Sequence, residues 1–188
     1  MRRLVTPNLH AIPRRVQLSV IEVEREPYRG NKNLACADAL NNIAKDNTEP
    51  GYVKRVVVFV NERETTSALK DYLCSKGFDA VDIHRDTRTR GFLETFTGPK
   101  EVTDAEPGRG QLKALVSTDL ASRGIDTKMV KNVILYDVPF STIDFIHRLG
   151  RTGRMGRRGR ALVLVDKDSN MDWVREIRKS MFMGKSLI

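Results

Sequence analysis

Apolar residues fall along this chain in runs of two kinds, and their alternation predicts the architecture. Val56-Val57-Val58-Phe59-Val60 is a continuous run rich in β-branched residues. That is the pattern of a parallel strand covered on both faces. Ala80-Val81-Asp82-Ile83, Lys113-Ala114-Leu115-Val116-Ser117, Val133-Ile134-Leu135-Tyr136 and Ala161-Leu162-Val163-Leu164-Val165 have similar lengths and predict further strands. In Arg15 to Val23 the apolar residues fall mainly at alternate positions, again as in a strand.

Between these runs the period lengthens. Leu34, Ala37, Leu40, Ile43 and Ala44 predict an amphipathic helix from Asn33 to about Lys45. Leu69, Tyr72 and Leu73 mark the buried face of a second, with Asn61 as its expected cap, Glu64 three residues on, and Gly77 as its stop. A third is expected near Arg88 to Phe96. Met171, Val174, Ile177 and Met181 line a last helix within Asp168 to Phe182, with Trp173 packed beside them and Ser169 and Asp172 as caps. Strands alternating with helices predict an α/β domain: a mainly parallel central sheet, helices on its faces and right-handed crossovers. Ligands then gather at the carboxyl ends of the strands, where Thr118 and the loop before Asp126 fall.

Breaks in the pattern suggest boundaries. Residues 1–30 hold three prolines and the first strand, residues 31–183 form the domain, and residues 184–188 are a tail. Residues 97–111 are polar and rich in Gly and Pro, and are read as a surface insertion. Gly184-Lys185-Ser186 echoes the end of a P-loop but follows a helix and lacks the earlier glycine, so the chain has no complete ATP site. Asp137, at the end of an apolar strand, mimics a magnesium-holding carboxylate. Without a P-loop it has no nucleotide-bound metal to hold.

Composition adds a partner class. With 188 residues the chain suits one domain. Its 33 Lys and Arg against 24 Asp and Glu give a net charge of +9, which favours a polyanion and also fits many mitochondrial or ribosome-associated proteins. Cys36 and Cys74 lie far apart, so neither a zinc site nor a disulfide framework is expected; reduced, buried thiols are. No metal ligand set is expected. No apolar run reaches the roughly eighteen residues of a membrane span, and residues 1–30 lack a signal peptide's apolar core, so a soluble, intracellular protein is expected.

The densest chemistry lies in His147-Arg148-Leu149-Gly150-Arg151-Thr152-Gly153-Arg154, continued to Arg160: six arginines and four glycines in fourteen residues with no acid. Such a segment cannot neutralise itself and is expected to present its guanidinium groups to phosphate. Arg148, Arg151 and Arg154 recur every three residues, as if along one side. A disordered Gly/Arg tail is the competing reading. The apolar runs on both sides place the arginines within a folded domain instead.

His-Arg-Leu-Gly-Arg-Thr-Gly-Arg resembles motif VI of the DEAD-box RNA helicases, and Ser117-Thr118-Asp119-Leu120-Ala121-Ser122-Arg123-Gly124-Ile125-Asp126 resembles their motif V. The Val56–Val60 run matches motif IV. The resemblance implies a RecA-like three-layer fold, namely the C-terminal half of an ATP-dependent RNA helicase, with residues 1–30 as interdomain linker and Met1 as a cut in a longer protein. It further implies that Arg151 and Arg154 reach the β- and γ-phosphates of ATP and that Asp126 bonds the ribose. His147 then couples the site to the N-terminal RecA-like domain, which holds Mg2+. Thr118, Arg123 and Gly124 meet the RNA backbone or shape the motif V loop. For Asp126 or Arg123 a local loop-fixing pair stands as the alternative.

The chain departs from the family at His84-Arg85-Asp86-Thr87-Arg88-Thr89-Arg90, where His-Gly and then Gln-x-x-Arg are usual. Two readings stand for Arg88 and Arg90: contact with RNA, or a solvated basic helix start. The isolated domain is expected to be a monomer without activity of its own, and RNA recognition to be independent of sequence. The basic, divergent sequence is similar to mitochondrial DEAD-box proteins of fungi serving ribosome assembly, which puts the mitochondrial matrix ahead of nucleus or cytoplasm. Competing functions are a non-hydrolysing RNA-binding or ribosome-assembly factor that kept the fold, and a helicase-like DNA translocase.

Overall fold

The computed structural model describes residues 15–46, 53–83, 112–122, 125, 127, 129–154 and 156–183. Expectations for the helix near Arg88, the insertion at 97–111 and the tail lie outside the described residues, as do those for Arg88, Arg90, Arg123, Gly124 and Asp126. In chain order the elements are β1 (Val16–Glu22), α1 (Lys32–Lys45), β2 (Lys54–Phe59), α2 (Arg63–Ser75), β3 (Asp79–Ile83) and β4 (Leu112–Ser117). They continue with β5 (Asn132–Leu135), α3 (Thr142–Leu149), β6 (Gly159–Val165) and α4 (Met171–Phe182). Every predicted strand is present, and the order across the sheet is β1-β6-β5-β2-β4-β3. All five pairings are parallel.

The reason lies in β2. Its side chains alternate between two cores: Val56, Val58 and Val60 join one, Val57 and Phe59 the other, and all five are at most 1% exposed. A strand buried on both sides demands helices on both sides. The first core is closed by α1 through Cys36 and Leu40 and by α2 through Leu69 and Leu73. The second is closed by α3 through Phe145 and Leu149 and by α4 through Val174 and Ile177. These are the three layers of a RecA-like domain. Truncating Phe59 to Ala removes a fully buried ring and costs about 3–5 kcal/mol.

Caps differ from those the sequence predicts. α1 begins at Lys32, capped by Asn31, whose side chain accepts from the Leu34 N–H at 2.9 Å. Asn61 does not cap α2; Glu62 holds that position without a side-chain bond, because the Asn61 side chain is drawn into a network at the strand ends. α4 is capped by Asn170, which accepts from the Trp173 N–H at 3.0 Å. Ser169 instead donates to Asp166 at 2.7 Å, and Asp172 lies inside the first turn. Trp173 packs edge-on against Phe145, ring centroids 5.6 Å apart, as expected of a core-edge aromatic. Both cysteines are free; Cys36 is buried, which pushes its thiol up to about 12, whereas Cys74 is exposed and corrects the expectation of two buried thiols. No described helix is long and apolar enough to cross a membrane.

Candidate nucleotide and nucleic-acid site

The arginine-rich segment divides into one inward arginine and several outward ones. Ser141 caps α3, accepting from the Asp144 N–H at 3.1 Å while its hydroxyl donates to the Asp144 carboxylate at 2.6 Å. One helical turn later Phe145 and Leu149 dive into the core. Arg148 shares that inner side and is only 2% exposed. Its guanidinium grips the Asp119 carboxylate with Nε at 2.9 Å and Nη2 at 2.7 Å. Nη1 donates to the Asp137 carbonyl at 2.8 Å and Nη2 also to Asn61 Oδ1 at 2.7 Å, while the group lies over the Phe59 ring, 5.4 Å from its centroid.

This corrects the idea that all these arginines face outward. The segment holds no acid, but Asp119 comes from the turn after β4, and the fold brings it to Arg148. A charge buried this deeply persists because it is paired and hydrogen-bonded. Arg148 therefore ties the ends of β2, β4 and β5 to α3.

The clamp also aims the turn beyond it. α3 ends at Leu149, and the Gly150, Arg151 and Thr152 N–H groups bond back to Ile146, Arg148 and Leu149 at 2.8, 3.1 and 3.1 Å. Gly153 then turns with φ +68°, a region in which side chains are strained. Thr152 is buried, its hydroxyl donating to the Lys131 carbonyl at 2.6 Å. The β6 start presses on this turn so closely that a Cβ on Gly159 would sit 2.4 Å from the Thr152 hydroxyl and 2.6 Å from the Gly153 nitrogen. Arg154 is exposed, with Nε on the Gly150 carbonyl at 2.6 Å. Neither Nη is engaged by a described residue. His147 is exposed and Arg151 half-buried; with Phe59, Asp119, Ser122 and Asp144 they line a small hollow beside the motif V turn.

In that turn the Thr118 carbonyl accepts from the Ser122 N–H at 3.1 Å and the Ser122 hydroxyl donates to the Asp119 carbonyl at 2.9 Å. Thr118 is half-buried at the carboxyl end of β4. The fold thus brings His147 and Arg151 to one hollow with Asp119 and Ser122, with Thr118 at the start of the neighbouring turn and Arg154 beyond the end of α3. The donor set, two guanidinium groups and an imidazole, suits a phosphate chain rather than a metal. Among the described residues no group of three or more His, Cys, Asp or Glu can hold a metal ion.

Lys32 makes two contacts that no local sequence pattern marks. At the start of α1, it bridges Asp137 at 2.8 Å and Asp166 at 2.7 Å across the ends of β5 and β6. Burial opposes the Lys32 charge, but the hydrogen bonds to both carboxylates outweigh it and hold the ammonium above its ordinary range. For Asp166 burial likewise pushes upward, yet the bonds from Lys32 and Ser169 win and hold it below the usual carboxylate value. Asp137 is thus no decoy without a role. Its second oxygen accepts from the Asn61 N–H at 2.9 Å, joining this bridge to the Arg148 clamp.

The helicase conserved C-terminal domain profile matches residues 37–156. Over its whole length the chain is 54% identical to the mitochondrial ATP-dependent RNA helicase MRH4 of Pyricularia oryzae and 53% identical to mrh4 of Sclerotinia sclerotiorum, covering 32% and 36% of those proteins. It therefore spans about a third of the length of the curated relatives it matches. Among solved structures, RNA helicase Prp28 from Chaetomium thermophilum superposes with a TM-score of 0.63 at 26% identity, over 87% of this chain and 37% of that one. The E. coli DEAD-box protein SrmB gives 0.56 at 25%, over 80% and 76%. S. cerevisiae Dbp5 shares the fold with a TM-score of 0.67 at 24% identity, over 95% and 42%. The arginine clamp, the three-layer sheet and these likenesses converge: the chain belongs to the helicase conserved C-terminal domain family, on its DEAD-box side.

Proposed function

We propose that this domain is the C-terminal half of a mitochondrial ATP-dependent RNA helicase, and that it completes an ATP site whose other half lies on an N-terminal RecA-like domain. The observation that carries the reading is the Arg148 clamp. It commits one arginine to fixing α3, while His147 and Arg154 are exposed and Arg151 is half-buried. Arg151 and Arg154 donate to the β- and γ-phosphates, and Asp126 takes the ribose. Positioned guanidinium groups stabilise the charge that develops during phosphoryl transfer. Mg2+ would be held by the N-terminal domain and would supply charge neutralisation there. His147 couples the two halves.

RNA is held by its backbone, independently of sequence, through Thr118 and the Arg123 and Gly124 loop, with Arg88 and Arg90 as additional contacts. Closure of the two domains on ATP and RNA bends the strand and opens a short duplex locally; hydrolysis and phosphate loss release it. The relatives' names support this reading and the mitochondrial assignment; Dbp5, whose fold the chain shares, has been captured with RNA and ADP BeF3. The test is ATPase activity with and without RNA. The full-length protein should hydrolyse ATP faster with RNA, and this domain alone should not hydrolyse it. A folded, RNA-bound full-length protein without ATPase activity would turn the reading to the non-hydrolysing assembly factor.

A further inference from the structure

The two ends of the sheet differ in how their charges are paired. At the carboxyl ends of the strands Asp119, Asp137 and Asp166 are matched by Arg148 and Lys32. The amino ends of β1, β6 and β5 collect cations from three separate stretches of chain: Arg15 just before β1, Arg157 and Arg158 just before β6, and Lys131 just before β5. Strand register makes them neighbours. Val16 lies beside Gly159 and Asn132 beside Arg160; the Gly159 N–H bonds the Arg15 carbonyl at 3.0 Å, and the Arg160 N–H bonds the Lys131 carbonyl at 2.8 Å.

Among the described residues, three of these cations lack counter-charge. Arg15, Arg157 and Arg158 are exposed, and none forms an ion pair with a described residue. The Arg15 guanidinium donates to the Gly156 carbonyl, which holds it across the turn, and Arg157 Nη1 meets the Met129 sulfur at 3.4 Å, a contact that neutralises nothing. Among the described residues the acids at this end are already engaged: Asp46 by Arg160 and Asp79 by Lys113. Unpaired guanidinium groups held together by backbone bonds repel one another, and a polyanion relieves that repulsion.

We propose that Arg15, Arg157 and Arg158 form an auxiliary phosphate-binding surface for RNA, separate from Thr118 and the motif V loop. β6, with seven residues, is about 20 Å long, so the patch and the strands' carboxyl ends meet phosphates at distant points of a folded RNA. Such a surface gives affinity without sequence preference and anchors a structured RNA while another part is opened. It rests on the RNA-binding reading above.

The experiment is binding of a hairpin RNA with a single-stranded arm to the full-length protein, followed by fluorescence anisotropy across a salt series. Arg15→Ala/Arg157→Ala/Arg158→Ala is compared with Arg175→Ala/Arg178→Ala/Lys179→Ala on α4, which removes the same formal charge elsewhere. The patch variant should bind about tenfold or more weakly at low salt, with the log-log salt slope reduced by roughly 2–3, and the α4 variant should change little. Arg157→Lys/Arg158→Lys, which keeps the charge, should bind nearly as the parent does. Equal behaviour of the two alanine variants overturns the patch while leaving RNA binding intact. Unchanged RNA binding with loss of cross-linking to the N-terminal domain overturns it in favour of a domain contact. Failure of the parent itself to bind RNA refutes the wider reading instead.

Discussion

Removing the Asp119 carboxylate should unfasten the whole corner. Arg148 is 2% exposed and makes four of its bonds to three strand ends, two of them to this carboxylate. Stripping the partner from a buried charge costs about 3–5 kcal/mol, and the one-third exposure of the Asp119 side chain lets water reach the guanidinium and lowers this to roughly 2–3 kcal/mol. For a domain of this size that is a Tm drop of about 5–10 °C. Arg148→Met should cost a similar amount by leaving Asn61 and the Asp137 carbonyl without their donor. The double variant Asp119→Ala/Arg148→Met should be no worse than the poorer single one, since neither charge remains. Denaturant unfolding of the four proteins closes the cycle. A loss below about 0.5 kcal/mol for Asp119→Ala, or strict additivity in the double variant, would refute the clamp, with magnitudes taken against ordinary surface substitutions.

Other consequences can be measured on the same footing. Gly159→Ala should destabilise by about 1–3 kcal/mol, because the new methyl meets the Gly153 backbone and the buried Thr152; a thermal melt unchanged from the parent would show that the turn yields freely. Lys32→Met should change the pH dependence. Asp166, held below 3.8, contributes stability that is complete above that value and lost as the pH falls through its lower folded value, and Lys32, held above 10.5, contributes stability that is lost only as the pH rises beyond that. In the variant the acid-side loss below about pH 4 should be shallower; parallel Tm curves between pH 2 and 6 would contradict the bridge. Trp173→Ala should cost about 2–4 kcal/mol through the lost Phe145 contact and core edge, read from the denaturant midpoint.

The strands are legible in the sequence because burial on both faces writes itself into consecutive residues, as in Val56 to Val60, where each residue meets one core or the other. The motif V and VI residues are legible as types and spacings. Their division of labour is not. Arg148 differs from Arg151 in sequence by nothing that marks it as internal, and its partner Asp119 lies 29 residues upstream, brought close only by parallel pairing at the strand ends. Asn61 looks like a helix cap because capping is a local bond; a buried guanidinium nearby offers a stronger partner. Lys32 reaches residues 105 and 134 positions away, contacts no local pattern encodes.

The most direct measurement is RNA-stimulated ATPase of the full-length protein with Arg151→Ala and Arg154→Ala, each checked for folding and RNA binding. Loss of kcat by about a thousandfold or more in both, with RNA affinity nearly kept, is the result predicted for arginines supplied to the phosphates from the second domain. Wild-type turnover in either folded variant would contradict its place at the phosphates.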